Sequence, residues 1–268
     1  MTIYDLTFFA YPEYYPPNHR RFWKTWVPKA IKKANAVIAI SHYTRKVIEQ
    51  FLPTEAHKIK VIYLGVENRF HPNYALGLLE KIRKRYNLPR EYLLTVGGIG
   101  AAHKNLEGLL EGYGILVNHH KINHHLVVVG DIGKDPLGIV NRTRNGKMAE
   151  KIHFLDFIPE EDLPIIYSGA SVFITASYAE GFGLPIVEAL ACGIPVVGSN
   201  VTSIPEIMGG CGMLFDSRRP DELAQKVIQM LSNLSLRREF ISKGIERSKQ
   251  FSWDSAARET LSLFDAIY

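Results

Sequence analysis

The sequence predicts an α/β fold, with a doubly wound parallel sheet filling residues ~75–250. Two observations carry that prediction. Short apolar runs rich in Val, Ile, Leu and Phe recur at 92–96, 126–130, 152–157, 171–175, 195–199 and 213–215, as expected of strands buried on both faces. Stretches with helical period or helix-start signals separate them, and glycines follow two of the runs, at 97–100 and at Gly181 and Gly183. In such a sheet a ligand binds beyond the carboxyl ends of the strands, where those glycine loops lie.

Composition narrows the class. A chain of 268 residues makes one large or two small domains and has ample apolar content for their cores. The net charge is +5, but residues 1–60 hold ten Lys/Arg against four Asp/Glu, whereas the rest hold 22 against 23. The basic character therefore belongs to the N-terminal segment, and no nucleic-acid partner is expected. Two cysteines, Cys192 and Cys211, argue for a reducing, cytoplasmic compartment rather than a disulfide framework. No apolar run approaches the length that spans a bilayer, and Met1 is not followed by a signal-peptide pattern.

Taken in order, residues 2–6 read as a strand end, and residues 11–17 as a loop rich in Pro and Tyr. Residues 18–34 have helical period, with Phe22, Trp26 and Ala30 on one line and Trp23, Val27 and Ile31 beside it. Arg20, Arg21, Lys24, Lys29, Lys32 and Lys33 flank that face. A short buried strand follows at 36–40, then Ser41 as N-cap of a helix over 43–52, and another strand at 59–63. Residues 68–72 form a polar connector, and a basic helix runs to about Tyr86.

The strand at 92–96 runs into Gly97-Gly98-Ile99-Gly100, with Lys104 and Asn105 just ahead of a helix from Leu106. Strand, glycine turn and helix start make an anion-binding arrangement, although a tight turn with a solvated lysine has the same pattern. His119, His120, His124 and His125 bracket a loop before the next strand; with no Cys or carboxylate beside them, a solvated loop suits them better than a metal site. Residues 134–148 are polar with a helix in their second half, and 159–168 read as a capped helix. Further helices are expected at 220–231 and 236–250, and a terminal one at 256–268.

The chain is organised around residues 178–197. The strand at 171–175 leads to Tyr178-Ala179-Glu180-Gly181-Phe182-Gly183, and a helix opens at about Leu184 with Pro185 in its first turn, where a missing N–H costs nothing. Gly181 and Gly183 let the backbone turn and approach a ligand, and the free N–H groups of the helix start suit a phosphate or sugar hydroxyls. Glu188 lies about two helical turns beyond Glu180. A carboxylate there accepts both hydroxyls of a diol such as a ribose. Paired carboxylates at helical spacing also occur on plain solvated faces.

Glu180-Gly181-Phe182-Gly183-Leu184-Pro185 with Glu188, followed by Ala191-Cys192-Gly193-Ile194-Pro195-Val196-Val197, resembles the donor motif of retaining GT-B glycosyltransferases of family 4. The likeness continues through Ser199 and Asn200, Ser203 to Glu206, Gly210, and Phe215 with Asp216. It implies a GT-B-like arrangement: residues 1–72 as part of an acceptor-side domain and linker, 73–250 as a Rossmann-like nucleotide-sugar-binding domain, and 251–268 as a helix crossing back. The family has further strands and a glycine-rich loop ahead of this segment, so the N-terminal domain is expected to lack roughly its first half.

The resemblance further implies transfer of a hexose, with retention, from a UDP-, GDP- or ADP-linked donor to a glycan or lipid-linked acceptor. No metal and no other cofactor is expected. Lys104 would meet the donor diphosphate with Gly98 and His103, at positions where the family often carries arginines. Phe157 and Ile158 are candidates to hold the base, and Glu188 the ribose. Glu180 and the backbone of Gly181, Phe182, Gly183 and Leu184 would meet the sugar and phosphate, making Glu180 and Lys104 the expected catalytic pair. Tyr4, followed by Asp5, stands where the family commonly has His before Asp.

Two other readings stay open: a nucleotide-sugar-binding but catalytically incomplete subunit needing a partner chain, and a plain Rossmann-like enzyme. The second is disfavoured because no glycine fingerprint with a following ribose acid is present. The apolar face of helix 18–34 either packs on the N-terminal sheet or, left bare, forms a homodimer or a peripheral contact with the inner membrane face.

Overall fold

Neighbouring residues along the strands point to opposite sides, and this alternation builds two of the three cores. The computed structural model describes residues 1–52, 54–133, 135 and 138–267. The N-terminal part comprises β1 (Thr2–Ile3), α1 (Thr7–Ala10), α2 (Pro17–Lys33), β2 (Val37–Ala39), α3 (His42–Phe51) and β3 (Ile59–Val61). Next come α4 (Leu76–Arg85), β4 (Tyr92–Val96), α5 (Leu106–Asn118), β5 (His125–Val129), α6 (Ile139–Arg144), β6 (Ile152–Leu155) and α7 (Leu163–Ser168). The last third holds β7 (Val172–Thr175), α8 (Leu184–Ala191), β8 (Val196–Ser199), α9 (Ile204–Met208), β9 (Gly212–Phe215), α10 (Pro220–Ser232), α11 (Leu234–Ser248) and α12 (Trp253–Asp265).

Among the described residues, β4 to β9 form one parallel sheet in the order β6-β5-β4-β7-β8-β9, and β1, β2 and β3 form a smaller parallel sheet. Leu94, Val127, Phe173 and Val196 face one core of the large sheet, with Ile82, Ile166 and Leu190 from α4, α7 and α8. Leu93, Leu126, Val128, Val172 and Val197 face the other, under Leu109 of α5, Val140 of α6 and Val227 of α10. A third core under the small sheet gathers Ile3, Val27, Ile31, Val37, Ala39, Val47 and Ile59. The strand order reverses between β4 and β7, which places the ligand crevice of this sheet type at the carboxyl ends of those two strands.

The segment that follows β3 touches the one that leads into α12. The N–H of Val66 donates to the Phe251 carbonyl at 3.1 Å, and Val66 bridges to Ser252. A Cβ on Gly65 would lie 2.1 Å from the backbone nitrogen of Trp253, so only glycine fits where these segments cross. Beside this crossing lies a cavity of about 630 Å³ lined by residues including Val66, His71 and Trp253.

The predicted elements recur with local changes. The N-terminal strand is confined to Thr2–Ile3, because Asp5 accepts the Thr7 N–H at 2.6 Å and starts α1, a helix not expected from the sequence. A 3-10 turn over Pro12–Tyr14 sits inside the expected loop. The strand expected at 152–157 stops at Leu155, and the helix expected from 159 begins at Leu163 after a turn. The terminal helix starts earlier, at Trp253, because Ser252 caps it. On α2 only Val27 and Ile31 are buried, whereas Phe22 and Trp26 are each 54% exposed and Trp23 is 40% exposed. Lys134 and Tyr268, the outer limits of two expected segments, lie outside the described residues.

Candidate active site

The glycine turn after β4 and the loop after β7 meet at the strand-order reversal, and they bring Lys104 and Glu180 together. Lys104 Nζ lies 2.7 Å from Glu180 Oε1, in a pair that keeps little solvent exposure. Ser177 Oγ donates to the same carboxylate oxygen at 2.6 Å. The Glu180 main chain is fixed as well: its N–H donates to Thr202 Oγ1 at 2.9 Å, and its carbonyl accepts from Ser203 Oγ at 3.0 Å. Asn105, in the left-handed region at φ 51°, caps α5, and its amide donates to the carbonyls of Ala176 and Ser217. That side chain ties the lysine-bearing loop to the end of β7.

Gly97, Gly98, Lys104, Thr175 and Ser177 line a small cavity under this pair. Gly183 takes φ 100° directly ahead of α8, and Pro185 sits in the first turn of that helix. The turn the sequence required is there, and the first N–H groups of α8 follow it.

His103 lies beside Lys104, stacked on Tyr15 with ring centroids 5.4 Å apart. Burial, with the Lys104 ammonium second, pushes its imidazole below the ordinary value, so the ring is neutral at pH 7. Tyr15 is held by hydrogen bonds with Thr7 and Asp5, so the end of β1 orients the ring that covers His103.

Glu188 belongs to a different network. Tyr167, fully buried, donates its hydroxyl to Glu188 Oε2 at 2.7 Å. Burial raises the Glu188 carboxyl above its ordinary value, while the Tyr167 hydrogen bond and the Arg69 guanidinium oppose that rise. The carboxylate is thus oriented by one phenol, and its Oε1 accepts no hydrogen bond among the described residues. Phe157 is 84% exposed at the end of β6, open to stack on a ring; Ile158 is 8% exposed and gives its side chain to the core. Phe182 is likewise core, packed against Tyr63 and Phe251, and its carbonyl accepts from Ser203 Oγ at 2.8 Å.

The small sheet closes over this loop. Ser41 and Thr44 donate their hydroxyls to the Gly181 carbonyl at 2.6 and 3.2 Å. The Glu206 carboxylate accepts the N–H groups of His42 and Tyr43 at 2.7 and 3.1 Å, placing negative charge at the start of α3. Tyr63 donates to the same carboxylate at 2.9 Å, and its phenol is pushed up to about 12 by burial and then by that bond. Ser177, Tyr167 and the stacked tyrosines were not singled out for the site from the sequence. Ser177 had a usable signal, since it lies two residues beyond a strand end at a predicted ligand edge.

The architecture is that of GT-B glycosyltransferases. Anabaena HepE in complex with UDP-glucose superposes with a TM-score of 0.84 at 20% identity, over 99% of this chain and 71% of that one. Sucrose-phosphate synthase from Thermosynechococcus elongatus gives 0.82 at 22% identity, over 99% and 67%. In sequence, residues 80–247 match the family "Glycosyl transferases group 1", and residues 2–70 match "Glycosyltransferase Family 4". The chain belongs to the group 1 glycosyltransferase family. It is 30% identical over 266 residues to the O-antigen chain mannosyltransferase B of Escherichia coli, spanning 99% of this chain and 70% of that protein. It is 26% identical to the serotype-specific mannosyltransferase WbdA of the same organism, of which it spans 31%. Among the described residues no helix is long and apolar enough to cross a membrane.

Proposed function

We propose that this chain transfers a hexose, with mannose first among candidates, from a nucleoside-diphosphate sugar to a saccharide or lipid-linked acceptor, with retention at the anomeric carbon. The observation that carries the reading is the Lys104–Glu180 pair at the strand-order reversal, in the loop whose carbonyl the small sheet grips. With donor bound, the Lys104 ammonium turns to the diphosphate, and Glu180 accepts hydroxyls of the transferred sugar. Backbone N–H groups from Gly183 into α8 add to the stabilisation of the leaving group, an electrostatic role that needs no metal. The bond from the anomeric carbon to the diphosphate oxygen breaks as the bond to the acceptor oxygen forms. The acceptor's proton ends on the departing diphosphate. Glu188 holds the ribose, and Phe157 lies against the base.

The mannosyltransferase relatives favour mannose, and the UDP-glucose held by Anabaena HepE supports a nucleotide-sugar donor in this fold. For the acceptor end, α2 presents Phe22, Trp23 and Trp26 among six Lys/Arg, a surface suited to an anionic bilayer that carries a lipid-linked acceptor.

The test is a thermal-shift screen of UDP-, GDP- and ADP-sugars followed by transfer assays with the donor that stabilises. A donor at a hundred times its Kd adds about 2.7 kcal/mol. Lys104→Ala should lower kcat/KM by about a hundredfold or more. Donor binding without transfer would move the reading to a binding subunit completed by a partner chain; no stabilisation by any donor would overturn it.

A further inference from the structure

A third cavity, of about 500 Å³, opens beyond the Lys104 loop, between the starts of α5 and α10. Its wall includes Tyr14 and Tyr178, whose rings stack across the two parts of the chain with centroids 5.0 Å apart and planes 5° from parallel. Arg218, Glu107 and Glu111 also line it. Neither tyrosine hydroxyl has a hydrogen-bond partner among the described residues, and both feel the Arg218 guanidinium, which itself has no ion pair there. Glu107 is paired with Arg142 at 2.5 Å, while Glu111 is exposed.

We propose that this cavity is a subsite for a neutral saccharide, holding the acceptor chain beside the transfer centre; the acceptor role rests on the function proposed above. With Glu107 held by Arg142, Glu111 stands against Arg218, so the cavity carries no net positive charge for a phosphate. A polyol instead needs donors and acceptors side by side. Two phenols, which do both, an arginine that only donates and a glutamate that only accepts supply that mixture. The tyrosine bodies add apolar area for the C–H faces of a sugar ring. The cavity is also coupled to the donor loops: the N–H of Tyr178 donates to the His103 carbonyl at 2.7 Å, and Tyr178 precedes Glu180 by two residues.

The experiment is an NMR titration of the full chain with an α-linked mannose trisaccharide, run beside titrations with inorganic phosphate and with the nucleoside diphosphate of the selected donor. Arg218→Ala, Glu111→Gln and Tyr178→Phe alter exposed or polar groups while keeping the ring stack. Each should weaken the trisaccharide by about fivefold to tenfold and leave nucleotide affinity unchanged. Lys104→Ala should do the reverse. The subsite is overturned if the wild-type chain does not bind the trisaccharide, if all three variants bind it equally well, or if phosphate displaces it. Trisaccharide binding that depends on Arg218 with no nucleotide binding would keep the saccharide site and remove the donor reading.

Discussion

Gly181 lies directly under the main-chain carbonyl of Tyr4: a Cβ on the glycine would come within 2.4 Å of that oxygen. The end of β1 therefore rests on the loop that carries Glu180, and the absence of a side chain permits it. Gly181→Ala should push the sheets apart here, costing about 1–3 kcal/mol by overpacking a buried backbone contact. Thermal unfolding reads the loss. An alanine variant as stable as the parent would show that the contact is not maintained in solution.

Glu188→Ala should weaken donor binding by about 1.5–3 kcal/mol, the loss of a charged acceptor for ribose hydroxyls. The structure adds a second effect. Tyr167, fully buried, would keep a hydroxyl with no partner, so stability should fall by about 1–3 kcal/mol. The double variant with Tyr167→Phe should regain much of that stability but none of the affinity. Calorimetry of donor binding together with denaturant melts separates the two roles.

His103→Arg should tighten nucleoside-diphosphate binding, because a guanidinium carries charge and a bidentate fork where the neutral imidazole offers neither. A planar guanidinium can also keep the stack on Tyr15. Unchanged affinity in titration calorimetry would mean that this position does not face the diphosphate.

His125 and His153 share a hydrogen bond of 2.9 Å between Nδ1 and Nε2 on adjacent strands. Burial lowers both imidazoles, with Lys151 adding to the effect on His125 and His125 adding to the effect on His153. The unfolded chain binds protons first, so this contribution to stability is complete above the unfolded value of about 6.5 and is lost as pH falls below it. Melting temperatures from pH 8 to 5 should decline more for the parent than for His153→Phe. Parallel declines would remove the pair as the cause.

Trp26→Glu should change stability by no more than about 0.5 kcal/mol, since Trp26 is 54% exposed on α2. It should abolish salt-sensitive sedimentation with anionic vesicles. A parent chain that ignores such vesicles at low salt would end the membrane proposal.

Much of this was written in local pattern. Runs such as 92–96 and 195–197 are apolar on both faces and marked central parallel strands, and the Gly–Pro punctuation at Gly183 and Pro185 marked the start of α8. Lys104 and Glu180 were legible as site residues from their loops, but their direct pairing spans 76 positions and no periodicity encodes it. The same holds for Tyr167 with Glu188, brought together where α7 packs beside α8, and for Tyr14 with Tyr178, which meet where the two sheets face each other. The apolar face of α2 could be read either as core or as a bare docking face, because periodicity reports amphipathicity without saying what covers it. Helix α1 was missed because four residues carry too little pattern, and its start depends on one aspartate accepting a backbone N–H.

The crossing at Gly65 and Trp253 sets how the chain can breathe. Two segments of backbone are in contact there with no side chain between them, so a rotation of one sheet against the other would displace this point least. A turn that barely moves Val66 displaces Tyr4, Tyr14 and Tyr15 away from Gly181, Tyr178 and His103 together. Under the function proposed above, donor entry and nucleotide release would share one motion, in which the tyrosine stacks unseat in step.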